Sequence, residues 1–267
     1  MDVELDRLDI EVVEGDAVQA TVLVPQRELP GALFVHGWGG SQDQDLSRAR
    51  EMAALGCVCL TFDLRGHHAN AVRKDVVTRG QNLQDLCAAY DWLASQSHVD
   101  AEAMAVIGVS YGGYLAALLS ELRPVRWLAL RTPALYLDRD WDVPKKRLHD
   151  DPELVRYRNR EVPAQDNRAL RACARFRGDA LLVEAEHDHI IPRQVIDNYA
   201  GALGKAQSLT RRMIPGADHG FSEKVAQRHY TDVLMAWMTE MVVGSRAAIA
   251  ASKVRADKHA RRTGVPA

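Results

Sequence analysis

From Val3 to Val24 apolar and polar residues alternate, with Gly15-Asp16 between the two halves. Period-two alternation broken by a turn pair predicts a hairpin, two antiparallel strands at one edge of a sheet. The pattern then changes. Ala32 to Val35 is apolar on both faces and ends in His36-Gly37-Trp38-Gly39-Gly40, the signature of an inner strand of a parallel sheet. Leu46, Ala49, Ala53 and Leu55 mark a helix closed by Gly56. Cys57 to Phe62 predicts the next strand, and Leu83, Leu86, Cys87, Tyr90 and Leu93 fall at helical spacing. Met104 to Val109 predicts a strand, Ser110 to Leu122 a helix stopped by Pro124, and Trp127 to Leu130 another strand.

The alternation breaks between about Arg131 and Gly178, a charged stretch carrying Pro133, Pro144, Pro152 and Pro163. Helices are predicted within it around Glu153 to Arg160 and Gln165 to Arg175. The rhythm resumes with a strand at Ala180 to Ala185, a helix near Arg193 to Leu203, a strand at Leu209 to Ile214 and a long helix from Ser222 to about Val243. Repeated strand–helix–strand units give a mostly parallel sheet with helices on both faces. The interruption reads as a small cap over the carboxyl ends of the strands, where such sheets keep their sites. The expected organisation is one domain over 1–267, with a cap at about 131–178 and a basic, solvated C-terminal tail at about 244–267.

Composition narrows the function class. The 267 residues are 47% hydrophobic and 26% charged, ordinary for a soluble enzyme, and the net charge of −2 offers no field for nucleic acid or a membrane surface. No apolar run approaches the roughly 18 residues of a membrane span, and Met1 to Ile10 lacks a signal-peptide layout. The four cysteines include no Cys-x-x-Cys pair and read as reduced thiols, so the expected location is cytoplasmic.

Gly108-Val109-Ser110-Tyr111-Gly112 matches Gly-x-Ser-x-Gly, and its setting between an apolar strand and a helix is the one a nucleophile elbow requires. The turn leaves no room for a Cβ two residues before or after the serine; Gly108 and Gly112 meet that demand. Ser110 needs a base, and His219 in Asp218-His219-Gly220-Phe221 follows the last strand. The acid is expected in the preceding loop, where Asp188 stands, with Glu186 and Glu184 as nearby competitors. The order Ser110, Asp188, His219 is the one used when Ser-His-Asp chemistry is built on an α/β sheet. Oxyanion donors are expected from the backbones of Tyr111 and Trp38, although a plain glycine turn after a strand would show the same residues around Trp38. His187-Asp188-His189 and His67-His68 lack a complementary ligand cluster, so no metal is expected. In the cap, Tyr136, Trp141 and Tyr157 would line an apolar pocket or pin the insertion to the sheet. Lys145, Lys146, Arg147, Arg156 and Arg158 would attract an acidic substrate or face water. The expected substrate contacts are Trp38, Tyr136, Trp141 and Ile190.

Together the His36-Gly37 loop, Asp63-x-Arg65-Gly66-His67, the elbow, Asp188 with Ile191-Pro192 and the His219 segment resemble the α/β-hydrolase superfamily over roughly Ala20 to Val243. The double glycine after the elbow and the His219 segment resemble the branch of prolyl-oligopeptidase-like hydrolases, feruloyl-type esterases and dienelactone hydrolases. The resemblance implies ester or amide hydrolysis through an acyl-enzyme, with no cofactor. Two departures matter: dienelactone hydrolases carry cysteine where this chain has Ser110, and oligopeptidases have a large extra domain not seen here. A carboxylic-ester hydrolase acting on a small-molecule ester is therefore the expectation. A peptidase, an acyltransferase and a non-catalytic binding protein are the alternatives. Neither nucleic acid nor membrane is an expected partner; a homodimer is allowed.

Overall fold

The computed structural model describes residues 3–11, 17–25 and 28–263. Two compact units emerge, one spanning Leu29–Val242 and the other made of Met1–Glu28 with Val243–Ala267. In the second, β1 (Val3–Glu11) and β2 (Ala17–Pro25) pair antiparallel, as the alternation predicts. They form a two-stranded sheet of their own rather than the edge of a larger one.

The larger unit is built on six parallel strands: β3 (Leu29–Val35), β4 (Val58–Thr61), β5 (Val99–Val109), β6 (Trp127–Arg131), β7 (Asp179–His187) and β8 (Ser208–Asp218). Their order is β4-β3-β5-β6-β7-β8, the α/β-hydrolase arrangement. Pleating divides the strand side chains between two cores. Leu128 and Leu130 of β6 enter one, while Trp127 and Ala129 enter the other. The first core is covered by α2 (Arg79–Ala94), α3 (Tyr111–Leu122), α5 (Arg168–Arg175) and α6 (Arg193–Ala202); numbering α4 (Pro152–Arg158) in chain order, its Leu154 and Tyr157 join that core too. The second core is covered by α1 (Leu46–Ala54) and by Ala226, Tyr230, Leu234 and Trp237 of α7 (Lys224–Thr263).

Register places the site. Val35 is level with Gly108, and Val109 with Arg131, so β3, β5 and β6 end together. His187 is level with Asp218, which sets the next residues of both strands side by side. Segment 131–178 packs onto the first core through Ala134, Leu135, Tyr136, Leu148, Leu170 and Phe176. Helix α7 continues to Thr263, past the expected end near Val243. The 244–263 stretch is rich in Ala, Lys and Arg, all strong helix formers, and Gly244 costs only about 1 kcal/mol relative to Ala.

Candidate functional site: a serine, a histidine and a carboxylate beside a cavity

Ser110 sits at φ 51°, ψ −111°, outside the ordinary regions for a side-chain-bearing residue. Its neighbours enforce that backbone. The Ser110 N–H donates to the Arg131 carbonyl at 2.9 Å, and its own carbonyl accepts from Tyr114 N at 3.1 Å and Ala134 N at 2.9 Å. A Cβ on Gly108 would stand 2.5 Å from the Gly112 carbonyl oxygen, and one on Gly112 would stand 2.2 Å from that of Val35. Both glycines are therefore required by contact with backbone, which has nowhere to move.

His219 Nε2 lies 2.9 Å from Ser110 Oγ, and His219 Nδ1 lies 2.7 Å from Asp188 Oδ2. Asp188 is itself fixed, since its Oδ1 accepts from Ile190 N at 2.8 Å and Ile191 N at 2.7 Å. Because an ionised carboxylate only accepts, the pairing assigns the proton to Nδ1 and leaves Nε2 to receive the serine hydroxyl. The two competing acids are occupied elsewhere. Glu184 is buried in an ion pair with Arg211, at 3.0 and 3.2 Å, and Glu186 accepts from Gly216 N at 2.7 Å. That last bond braces the loop leading to His219. Beyond the histidine, the Asp218 carboxylate accepts from both N and Oγ of Ser222, and Phe221 is fully buried.

The loop after β3 is held from the side. The Gln42 N–H donates to Asp63 at 2.8 Å, while Leu64 N donates to the ring of His36 at 3.1 Å. Arg65 clamps Asp85 of α2, so the Asp63-x-Arg65-Gly66-His67 motif acts here as scaffolding. Burial lowers the His36 imidazole below its ordinary range and pushes His67 down to about 4. The Trp38 ring meets His67 edge-on at 4.7 Å and Tyr111 at 5.6 Å.

A cavity of ≈ 370 Å³ opens on Ser110 and His219. Trp38 lines it; Tyr136, Trp141 and Ile190 do not. Tyr136 is buried in the first core among Tyr111, Tyr114 and Arg158, which consumes its surface. Trp141 is wedged against Gly80 with Arg79 and Arg168 on its ring. Ile190 is 58% exposed. Lys145, expected at the surface, is fully buried with Nζ 4.3 Å from the Trp38 ring centroid and 5.0 Å from that of Tyr111. The remaining wall comes instead from Gln44, Asp45, Arg48, Arg131 and Gln227, on the second-core side. Sequence reasoning missed these. Arg131 did leave a trace, as a charge ending an otherwise apolar buried strand. Among the described residues no three His, Cys, Asp or Glu are grouped to hold a metal, and no helix is long and apolar enough to cross a membrane.

An uncharacterized protein of Mycobacterium tuberculosis is 27% identical over 80% of this chain and 71% of its own length. Among solved structures, Est1E from Butyrivibrio proteoclasticus, with ferulic acid bound, aligns with a TM-score of 0.63 at 15% identity over 90% of this chain and 96% of that one. EstE1, a thermostable carboxylesterase from a metagenomic library, aligns at 0.61 and 22% identity over 90% and 89%. These likenesses establish the α/β-hydrolase fold. Residues 44–245, which hold the elbow, the Asp188 and His219 loops and the whole segment between them, match the prolyl oligopeptidase family, and the chain belongs to it.

Proposed function

We propose that this protein is a carboxylic-ester hydrolase acting through an acyl-enzyme on Ser110. The observation that carries the reading is the unbroken relay from Asp188 Oδ2 through His219 to Ser110 Oγ, with bonds of 2.7 and 2.9 Å. In the first half-reaction His219 Nε2 takes the serine proton as Oγ attacks the ester carbonyl carbon. The resulting oxyanion is held by the N–H groups of Tyr111 and Trp38. The Tyr111 N–H opens α3, whose first-turn amides have no intrahelical acceptor and carry the positive end of the helix dipole. Collapse expels the alcohol, which leaves with the proton from His219. Water then repeats the sequence, and the acid departs while Ser110 regains its hydrogen. Asp188 holds the imidazole tautomer and stabilises the imidazolium throughout.

The esterase and lipolytic activities named for the structural neighbours favour an ester over an amide. The family match favours a second reading, cleavage of a peptide on the same three residues. The test is labelling of the purified protein with a fluorophosphonate, followed by turnover of nitrophenyl esters and of peptide anilides. Labelling should vanish in Ser110→Ala, with turnover falling on the order of 10⁴-fold or more and the fold retained. Full labelling of Ser110→Ala would end the proposal, and faster cleavage of anilides than esters would turn it to a peptidase.

A further inference from the structure

The wall of the cavity holds a guanidinium with no carboxylate in ion-pair contact, Asp45 and Asp218 acting on it only from farther off. Arg131 ends β6 and is only 9% exposed, yet among the described residues its guanidinium makes no ion pair, and its Nε, sealed from solvent, makes no hydrogen bond. What it has is aromatic support: its guanidinium carbon lies 4.5 Å from the Phe221 ring centroid and 5.0 Å from that of Tyr230. Arg48, its neighbour in the same wall, is matched by Asp45 at 2.7 Å. Asp188 and Asp218 are each engaged by donors of their own loops. A buried charge is costly unless a partner offsets it, and a guanidinium stays charged where an amine would shed its proton. Stacking on rings leaves the planar edge, with its N–H donors, as the recognition surface; that edge matches a carboxylate in bidentate geometry. The cavity that Arg131 lines is the one that opens on Ser110 and His219.

We infer that the cavity selects esters bearing a carboxylate, which Arg131 binds while the ester carbonyl meets Ser110. The inference rests on the esterase reading above and adds a substrate class to it. One guanidinium without a direct ion-pair partner, in a wall that also holds Asp45, suits a singly charged carboxylate better than a doubly charged phosphate. The Arg131 carbonyl also accepts the Ser110 N–H, so the same residue sets the nucleophile and the anion locus.

The test compares mono-4-nitrophenyl glutarate with neutral 4-nitrophenyl valerate, alongside the 4-carboxyphenyl and phenyl esters of butyric acid. In one pair or the other the acid-bearing ester should win in kcat/KM, and Arg131→Gln should lower that acid-to-neutral ratio by about 10- to 100-fold. Arg131→Lys should restore the ratio only in part, because an ammonium lacks the planar fork. A merely structural Arg131 would slow both members of a pair alike and leave the ratio unchanged, which would overturn the inference. A second readout does not need turnover. In Ser110→Ala protein, monomethyl glutarate should raise the melting temperature where dimethyl glutarate does not, and the difference should vanish in Ser110→Ala/Arg131→Gln. Equal shifts with both compounds, or a larger shift with inorganic phosphate, would overturn the carboxylate assignment. Loss of fluorophosphonate labelling in the wild type would sink the esterase reading alone, since the binding arm still reports on Arg131.

Discussion

Buried cations lie on both sides of the sheet, and two of the arginines, Arg79 and Arg131, are handled in opposite ways. On the cap side, Arg79 donates to the carbonyls of Leu137 at 2.7 Å and Arg139 at 2.5 Å, Arg158 donates to that of Leu135 at 2.9 Å, and Lys145 sits among three aromatic rings. Those cations hold the chain in place. On the α1–α7 side, Arg131 rests on two rings, its sealed Nε has no partner, and among the described residues its guanidinium makes no hydrogen bond, whereas its neighbour Arg48 is paired with Asp45. The difference shows that burial and charge by themselves do not announce a binding site. Counting acceptors separates two of the arginines: Arg79 spends its terminal donors on carbonyls and belongs to the architecture, while Arg131 has none of its donors on protein and lines the cavity.

The comparison can be broken first where chemistry is expected. Asp188→Asn should lower ester turnover on the order of 10⁴-fold by favouring the wrong imidazole tautomer, whereas Glu186→Gln, which loses only a brace on Gly216, should cost little. Steady-state kinetics of the two variants checks this, and the reverse ranking would move the acid to Glu186.

The cap side should respond in stability instead. Tyr136→Ala removes a fully enclosed ring from the first core and should cost about 3–5 kcal/mol in denaturant unfolding. Trp141→Ala should cost less, because that ring is only partly buried. Both should slow a chain-length series of nitrophenyl esters by one common factor. A change in relative kcat/KM with chain length would show that the cap reaches the substrate after all.

The smallest effect concerns pH. Burial, reinforced by neighbouring His36, moves His67 from 6.5 down to about 4. Between those values the unfolded chain binds a proton that the folded chain refuses, so stability rises with pH through the window and is lost on acidification. His67→Gln should flatten the melting temperature measured from pH 6.5 to 4. An unchanged slope would place the acid sensitivity elsewhere.

Much of this was legible in the sequence because backbone demands are local. The apolar strands ending in Val35, Val109 and Leu130 and the glycines around Ser110 follow from periodicity and steric need, and the chain order of the three candidate site residues from the strand–serine–helix setting. Segment 131–178 stands out as an interruption, but not the core it packs on, because Tyr136 and Trp141 carry the same apolar surface whether they face a core or a ligand. The roles of Arg131 and Arg48 were hidden for a related reason, although the charge of Arg131 at the end of an apolar strand left a trace. Their role depends on which carboxylates and carbonyls lie within reach, and those come from residues far along the chain. The extension of α7 was masked by its basic charge, which suggested a tail where alanine-rich propensity sustains a helix.

Residue 131 joins two things usually kept apart. Its carbonyl oxygen is tied to the amide of Ser110, while its side chain stands in the cavity wall against Phe221 and Tyr230. With its backbone tied across β5 and β6 and its guanidinium braced on two rings, residue 131 holds nucleophile and cation in one frame. On the proposed reading such a site would gauge its substrate as a ruler does, accepting a ligand whose ester and carboxylate are spaced to match.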